Sequence, residues 1–307
     1  MPAADRSDLR QHGNSSIMNW HEIPLVFECE GSRLIGIIAQ PERPAETGVV
    51  IVVGGPQYRA GSHRQFTLLA RQLAEQGIAS IRFDYRGMGD SEGDIRYFEA
   101  INADIHAAAE CLIAHLPQIK QLSLWGLCDA ASAALYYAHT DPRVQGLFLL
   151  NPWAHSQAAS ARAKMKHYYL ARLTSRAFWI KLFTGKVKLG SSLGDFADSA
   201  RQASSTGVQS ELEPAVDFRY GSPGYIDRML QGLKQFRGKV ELILSGNDLT
   251  AQAFEELMRI DRQWQKACND PRVSIKKLAD ATHTFSRRDW RDQVGEWSAS
   301  FMKSLRN

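Results

Sequence analysis

Three side chains in this 307-residue sequence have the types and spacing for covalent chemistry. Cys128 lies in Gly126-Leu127-Cys128-Asp129-Ala130, followed by Ala131, Ser132 and Ala133. A thiol placed where a strand reverses into a helix is presented to a substrate, and small neighbours let the two elements approach closely. The apolar run "LSLW" before the turn and the small-residue run after it supply that strand and that helix. Ala130 departs from the glycine usual at such a turn and puts a Cβ at a crowded point. Asp248 follows the apolar run in "VELILSGN", and His283, within "ADATHTFSRRDW", follows "VSIKKL". Nucleophile, acid and histidine occur in that order, each just past a strand end. This makes His283 the candidate general base and acid, with Asp248 to orient it.

A thiol with an ordinary pKa of about 8.5 is partly ionised near neutrality, and a helix N-terminus plus His283 is expected to lower it further. An acyl group on sulfur is a thioester, open to amines and thiols as well as to water. The developing oxyanion needs backbone donors. The N–H of Asp129 is one; the second is expected from Gln57 or Tyr58, because Pro56 between them and the glycines has no N–H. A carboxylate facing the sulfur would oppose its ionisation, so the Asp129 side chain is expected to point away, toward an arginine. Plainer roles compete with these. Cys128 can be a small packing residue, and Asp248 can simply cap a helix beginning near Thr250. Cys29, Cys111 and Cys268 fall in strand or helix patterns and read as structural. His63, His106, His115 and His139 have no motif around them.

The elements that must position these groups alternate. "PLVFECEGSRLIGIIAQ" reads as a hairpin, and "GVVIVVGG" as a buried parallel strand. A helix over "FTLLARQLAEQG" ends at Gly77, followed by the strand "IASIRFDY" and a helix around "INADIHAAAECLIAHL". After the Cys128 turn come a helix through "ASAALYYAH" and the strand "VQGLFLL"; later, "KVELILS", one helix over "AQAFEELMRIDRQWQKAC", "VSIKKL" and a last helix through Trp297. The expectation is an α/β fold with a mostly parallel central sheet, helices on both faces and a helical cap insertion. Residues 18–152 and 226–307 form the expected core, 153–225 the cap, and 1–17 a disordered tail with Met18 as a second candidate start.

The sequence resembles the α/β-hydrolase superfamily across nearly all of residues 22 to 305. "GGPQYRAGSHRQF", "FDYRGMGDSEG", "GLCDAAS", "SGNDL" and "ATHTF" carry the likeness. More narrowly, it is similar to the group called exosortase A system-associated hydrolase 1, which accompanies bacterial exopolysaccharide and protein-sorting loci. The resemblance implies a cytoplasmic bacterial enzyme of unassigned substrate; the Cys128, His283 and Asp248 set points to acyl transfer from an ester or thioester to water, without metal or redox cofactor. Asp84, Arg86 and Asp90 in "FDYRGMGDS" read as holding the loop after the fourth strand, a loop that can also line the site. Elbow cysteines occur in dienelactone hydrolases and in some acyltransferases of the superfamily, so acyl transfer to an amine, hydroxyl or thiol is the runner-up. A catalytically silent binding module is the reading from another class.

Between Asp141 and Asp195 there is no acidic residue, while Arg162, Lys164, Lys166 and Arg172 are interleaved with Tyr168, Tyr169, Phe178 and Trp179. An amphipathic helix with a solvated basic face explains this run. So does an anionic substrate, such as a CoA- or carrier-protein-linked thioester held by Arg162, Lys164 and Lys166 with Trp153, or peripheral contact with an anionic membrane. No nucleic-acid-reading module is present, and the net charge of +4 gives no argument for one. Four cysteines without CxxC spacing suggest neither a disulfide framework nor a zinc site, and fit a reducing compartment. The oligomeric state is not encoded in any pattern here.

Overall fold

The two β runs around Glu30 and Gly31 pair as the antiparallel hairpin β1 (Trp20–Cys29) and β2 (Ser32–Pro41). Glu30 and Gly31 both have positive φ, 46° and 80°, which a two-residue turn of the primed type requires. The computed structural model describes residues 19–55, 57–154 and 224–305. The expected tail and nearly all of the expected cap, including Arg162, Lys164 and Lys166, lie outside the described residues.

The remaining strands are β3 (Thr47–Val52), β4 (Ala79–Phe83), β5 (Gln121–Leu127), β6 (Val144–Leu150), β7 (Lys239–Ser245) and β8 (Val273–Leu278). They form one sheet in the order β1-β2-β4-β3-β5-β6-β7-β8. β2 meets β4 antiparallel, and every pair from β4 onward is parallel. Every residue of β3 is buried, as its unbroken apolar run demands of a strand covered on both faces.

Between the strands lie α1 (Gln65–Glu75), α2 (Asn102–His115), α3 (Asp129–Tyr137), α4 (Tyr225–Gln235), α5 (Leu249–Ile260), α6 (Arg262–Cys268) and α7 (Arg288–Ser304). Side chains of α1 and α7 cover one face of the sheet, while those of α2 to α6 cover the other. Gly77 ends α1 at φ 78°, with Ile78 N–H returning to Leu73 O at 2.9 Å. The single helix expected over 251–268 is two helices. Asp261 breaks it with an extended backbone (φ −98°, ψ 114°) and caps α6 by accepting from the N–H groups of Gln263 and Trp264. A carboxylate in mid-helix competes for backbone donors and restarts the helix as an N-cap.

Alternation along β5 divides its side chains. Leu122 and Leu124 join the core on the α2–α3 face, Trp125 and Leu127 the core on the α1–α7 face. Trp125 lies edge-on to Phe66 at 5.8 Å and stacks on Phe148 at 6.4 Å. Its indole N–H donates to Ser298 Oγ at 3.1 Å, so the ring is buried without a lost hydrogen bond. Aromatic pairs of this kind add about 0.5–1.5 kcal/mol each beyond area burial. Among the described residues no helix is long and apolar enough to cross a membrane. Because β5, β6, β7 and β8 run parallel side by side, the loops at their carboxyl ends gather along one edge.

Candidate active site

At that edge β5 ends and α3 begins one residue later, with Cys128 between them at φ 63°, ψ −124°. A non-glycine residue held there stores about 1–3 kcal/mol of strain and persists only when its surroundings enforce it. They do so here. Cys128 N–H donates to Leu150 O at 2.9 Å, and Cys128 O accepts from Ala131 N (3.1 Å), Ser132 N (3.3 Å) and Trp153 N (3.2 Å). A Cβ on Gly126 would sit 2.7 Å from the Ala130 carbonyl carbon and oxygen, so α3 can cross β5 only over a glycine. The departure at Ala130 is accommodated, with that side chain buried. Ser132 Oγ donates to Trp153 O at 2.8 Å, which fixes Trp153 beside the elbow.

Asp248 follows β7 in an extended conformation (φ −148°, ψ 127°). Its Oδ1 accepts from Thr250 N at 3.3 Å, and its Oδ2 from Ala251 N at 3.0 Å and from His283 Nδ1 at 2.9 Å. Asp248 thus caps α5 and pairs with His283 at the same time. The loops that carry the pair are joined through the backbone: Gly246 N–H donates to Leu278 O (2.8 Å) and Asn247 N–H to Ala281 O (3.0 Å). Any side chain at Gly246 would collide with Ala279 O, so only glycine permits this approach.

Sequence reasoning missed Asn151, which follows β6 in the left-handed region at φ 44°. Its Oδ1 accepts from Ser245 N (2.9 Å), and its Nδ2 donates to Ser245 Oγ (2.6 Å) and to His283 O (3.1 Å). One buried amide thus holds the end of β7 and the histidine loop against β6. The available signal was an asparagine directly after the buried run "LFLL", at a point where the chain must turn.

Two electrostatic expectations are corrected. Burial, reinforced by the carboxylates of Asp129 and Asp248, pushes the Cys128 thiol well above its ordinary pKa, and the Asp129 N–H only partly opposes this. The helix N-terminus does not overcome desolvation, so the resting sulfur is a thiol. Among the described residues the Asp129 carboxyl has no arginine partner. Its Oδ2 accepts from Gly55 N–H at 2.9 Å, and burial pushes it up to about 6 despite the N–H groups of Gly55, Ala130 and Asp129 itself and the nearby His283.

Of the two residues expected to supply the second oxyanion donor, Gln57 has its N–H engaged elsewhere. Gln57 N–H turns back to Gly55 O at 2.8 Å. Tyr58 is exposed, and its hydroxyl donates to Asp90 Oδ2 at 2.5 Å beside the stacked Arg59 guanidinium. The loop N–H that meets the elbow belongs to Gly55. Asp84 accepts from Arg59 N (2.7 Å) and Asp90 N (3.1 Å), and so holds the loop after β4 in the way expected.

A sheet of this order, with a strained elbow after β5 and an Asp–His pair after β7 and β8, defines an α/β-hydrolase. The chain belongs to the family described as serine aminopeptidase, S33, which it matches over residues 44–276. Solved structures of similar fold include an esterase from Pyrococcus furiosus (TM-score 0.62, 15% identity, 94% of this chain and 92% of that one). A carboxyl esterase from Bacillus coagulans is comparable (TM-score 0.60, 17% identity, 92% and 98%). So is a dienelactone hydrolase from Anabaena variabilis (TM-score 0.58, 12% identity, 93% and 98%). Among curated proteins, an uncharacterized Pseudomonas aeruginosa protein is 31% identical over 101 residues, which span 32% of this chain and 27% of that protein.

Proposed function

We propose that the protein hydrolyses an ester or thioester through a covalent acyl-enzyme, with Cys128 as nucleophile, His283 as general base and acid, and Asp248 orienting the imidazole. The observation that carries this reading is the 2.9 Å bond from Asp248 Oδ2 to His283 Nδ1 on the loops flanking the strained Cys128 turn. Because the bond engages Nδ1, Nε2 is the ring nitrogen free to move protons. The resting sulfur is protonated, so deprotonation accompanies attack: Nε2 takes the thiol proton as Sγ bonds to the acyl carbon. Collapse of the tetrahedral intermediate breaks the ester or thioester bond, and the leaving alcohol or thiol takes the proton from His283. Water then attacks the acyl-sulfur carbon while His283 removes its proton. The acid leaves and the thiol is restored.

Membership of a hydrolase family and the esterase names of similar folds support an ester-type bond. Cysteine in place of the serine usual at this elbow supports a second reading, acyl transfer, because a thioester is intercepted readily by amines and thiols. The basic run that includes Arg162, Lys164 and Lys166 supports an anionic donor, CoA- or carrier-protein-linked, and the same charge suits an anionic membrane surface. Four unpaired cysteines suit a reducing cytoplasm. The narrower likeness to exosortase-associated hydrolases favours an exopolysaccharide-linked role.

Intact-protein mass spectrometry after brief exposure to a short activated ester and to an acyl-CoA tests the reading. An acyl adduct on Cys128 that is absent in Cys128→Ala and slow in His283→Ala is expected. Its decay in water against added amine separates hydrolysis from transfer. Turnover of these donors that persists unchanged in Cys128→Ala would rule the mechanism out.

A further inference from the structure

The Asp129 carboxyl has no part in the chemistry above, yet the elbow is built around it. It follows Cys128 directly, is 5% exposed, and accepts the Gly55 N–H through Oδ2 at 2.9 Å. Its Oδ1 is buried without a hydrogen-bond partner among the described residues. Gly54 seats it, since any side chain there would collide with Asp129 Oδ1 and with Leu127 O. Burying a carboxylate with one oxygen unsatisfied is unfavourable, so this seat is not explained by stability. Its location is informative. The N–H of the residue after the nucleophile and an N–H from the loop after β3 are the two donors that an acyl oxygen needs. The loop donor that reaches the elbow is already held by Asp129.

We propose that the Asp129 carboxylate is a built-in occupant of the oxyanion site, holding the Gly55 N–H in the resting enzyme and yielding it to the acyl oxygen as that oxygen becomes negative. The proposal rests on the acyl-enzyme reading. Two anions cannot share these donors, so the carboxylate is displaced as the tetrahedral intermediate forms, and a protonated carboxyl yields more readily than a charged one. Among the described residues, the titratable groups facing it are the Cys128 thiol beside it, His283 across the site with Asp248 behind, and Tyr85, whose hydroxyl donates to Gly55 O at 3.4 Å. Burial favours the neutral carboxyl, while His283 and the backbone N–H groups favour the charged one.

The test compares wild type, Asp129→Asn and Asp129→Ser. Asparagine keeps the shape and an acceptor for Gly55 without the charge; serine, one atom shorter, loses the charge and the reach to the Gly55 N–H. A short-chain trifluoromethyl ketone serves as probe: Sγ adds to the carbonyl carbon, the thiol proton passes to His283, and the former carbonyl oxygen becomes the oxyanion. Both variants are expected to bind it about tenfold or more tightly than wild type at pH 7.5, with the gap closing as the pH falls below about 6. In parallel, the rate of Cys128 alkylation by iodoacetamide is followed against pH. Without the neighbouring carboxylate the rate at pH 8 is expected to rise about tenfold. Equal or weaker ketone binding by both variants overturns the proposal, as does an unmoved alkylation profile. A ketone that adds to none of the three proteins counts against the acyl-enzyme reading. The alkylation profile, which needs no turnover, then decides the role of Asp129 by itself.

Discussion

Replacing Asn151 with aspartate keeps the size and backbone of the residue and reverses its hydrogen bonding. The site is fully buried (0% exposed) at φ 44°, a conformation both residues tolerate, so neither cavity nor new strain is introduced. The variant still accepts from Ser245 N, and the Ser245 hydroxyl can rotate to donate. His283 O cannot: it loses the Nδ2 donor at 3.1 Å and faces a carboxylate instead. An unpaired buried carbonyl costs about 1–3 kcal/mol, and an unpaired buried carboxylate several more. Entering as a neutral acid avoids most of this, because its O–H can donate to His283 O. The folded pKa of the new carboxyl is therefore raised, and its stability is present at low pH and lost as the pH rises through that value. The expected destabilisation is about 1 kcal/mol at pH 4.5 and about 3–5 kcal/mol at pH 8. Urea unfolding of both proteins at the two pH values measures it. Equal losses at both would refute the idea that the donor to His283 O is what the fold requires of Asn151.

Asp248→Asn should lower turnover on the order of 10³–10⁴-fold by presenting the wrong partner to Nδ1, while unfolding stability falls by only about 1 kcal/mol because an asparagine still caps α5; steady-state kinetics and denaturant midpoints, compared in one preparation, check the split. Gly126→Ala should cost about 1–3 kcal/mol by forcing α3 off β5, and a melting temperature within error of wild type would contradict the packing described. Asp129→Asn should stabilise the protein at neutral pH. The carboxyl is raised to about 6 by burial, so its penalty is absent below the ordinary carboxylate range, grows as the pH rises through about 6, and reaches roughly 2–3 kcal/mol above it. Denaturation curves of variant and wild type that keep a constant separation from pH 4.5 to 8 would argue against it.

The strands and the elbow were legible because their signals are local. The runs "KVELILS" and "VSIKKL" coincide with β7 and β8 residue for residue. Gly126 announces the close helix crossing that its missing Cβ permits. What was not legible depends on direction or on distance. Gln57 and Tyr58 were reasonable oxyanion donors by exclusion of Pro56, but the tight turn at Gly55 aims the Gln57 N–H backward. Asp129 was expected to seek an arginine, and instead found a backbone donor 74 residues away. Asn151 has partners 94 and 132 residues distant, which no window of sequence displays. The raised thiol is of the same kind, since desolvation is a property of the assembled site.

Asp248 Oδ2 serves two donors at once, Ala251 N–H and His283 Nδ1. The first turn of α5 and the alignment of the histidine are therefore one cooperative unit, in which fraying of the helix end and loss of imidazole orientation are the same event. Amide exchange at Thr250 and Ala251 then becomes a gauge of how often the site is assembled, readable on the protein without any substrate. Substitutions on the exposed side of α5 that slow this exchange should raise the fraction of competent molecules without touching a reacting atom.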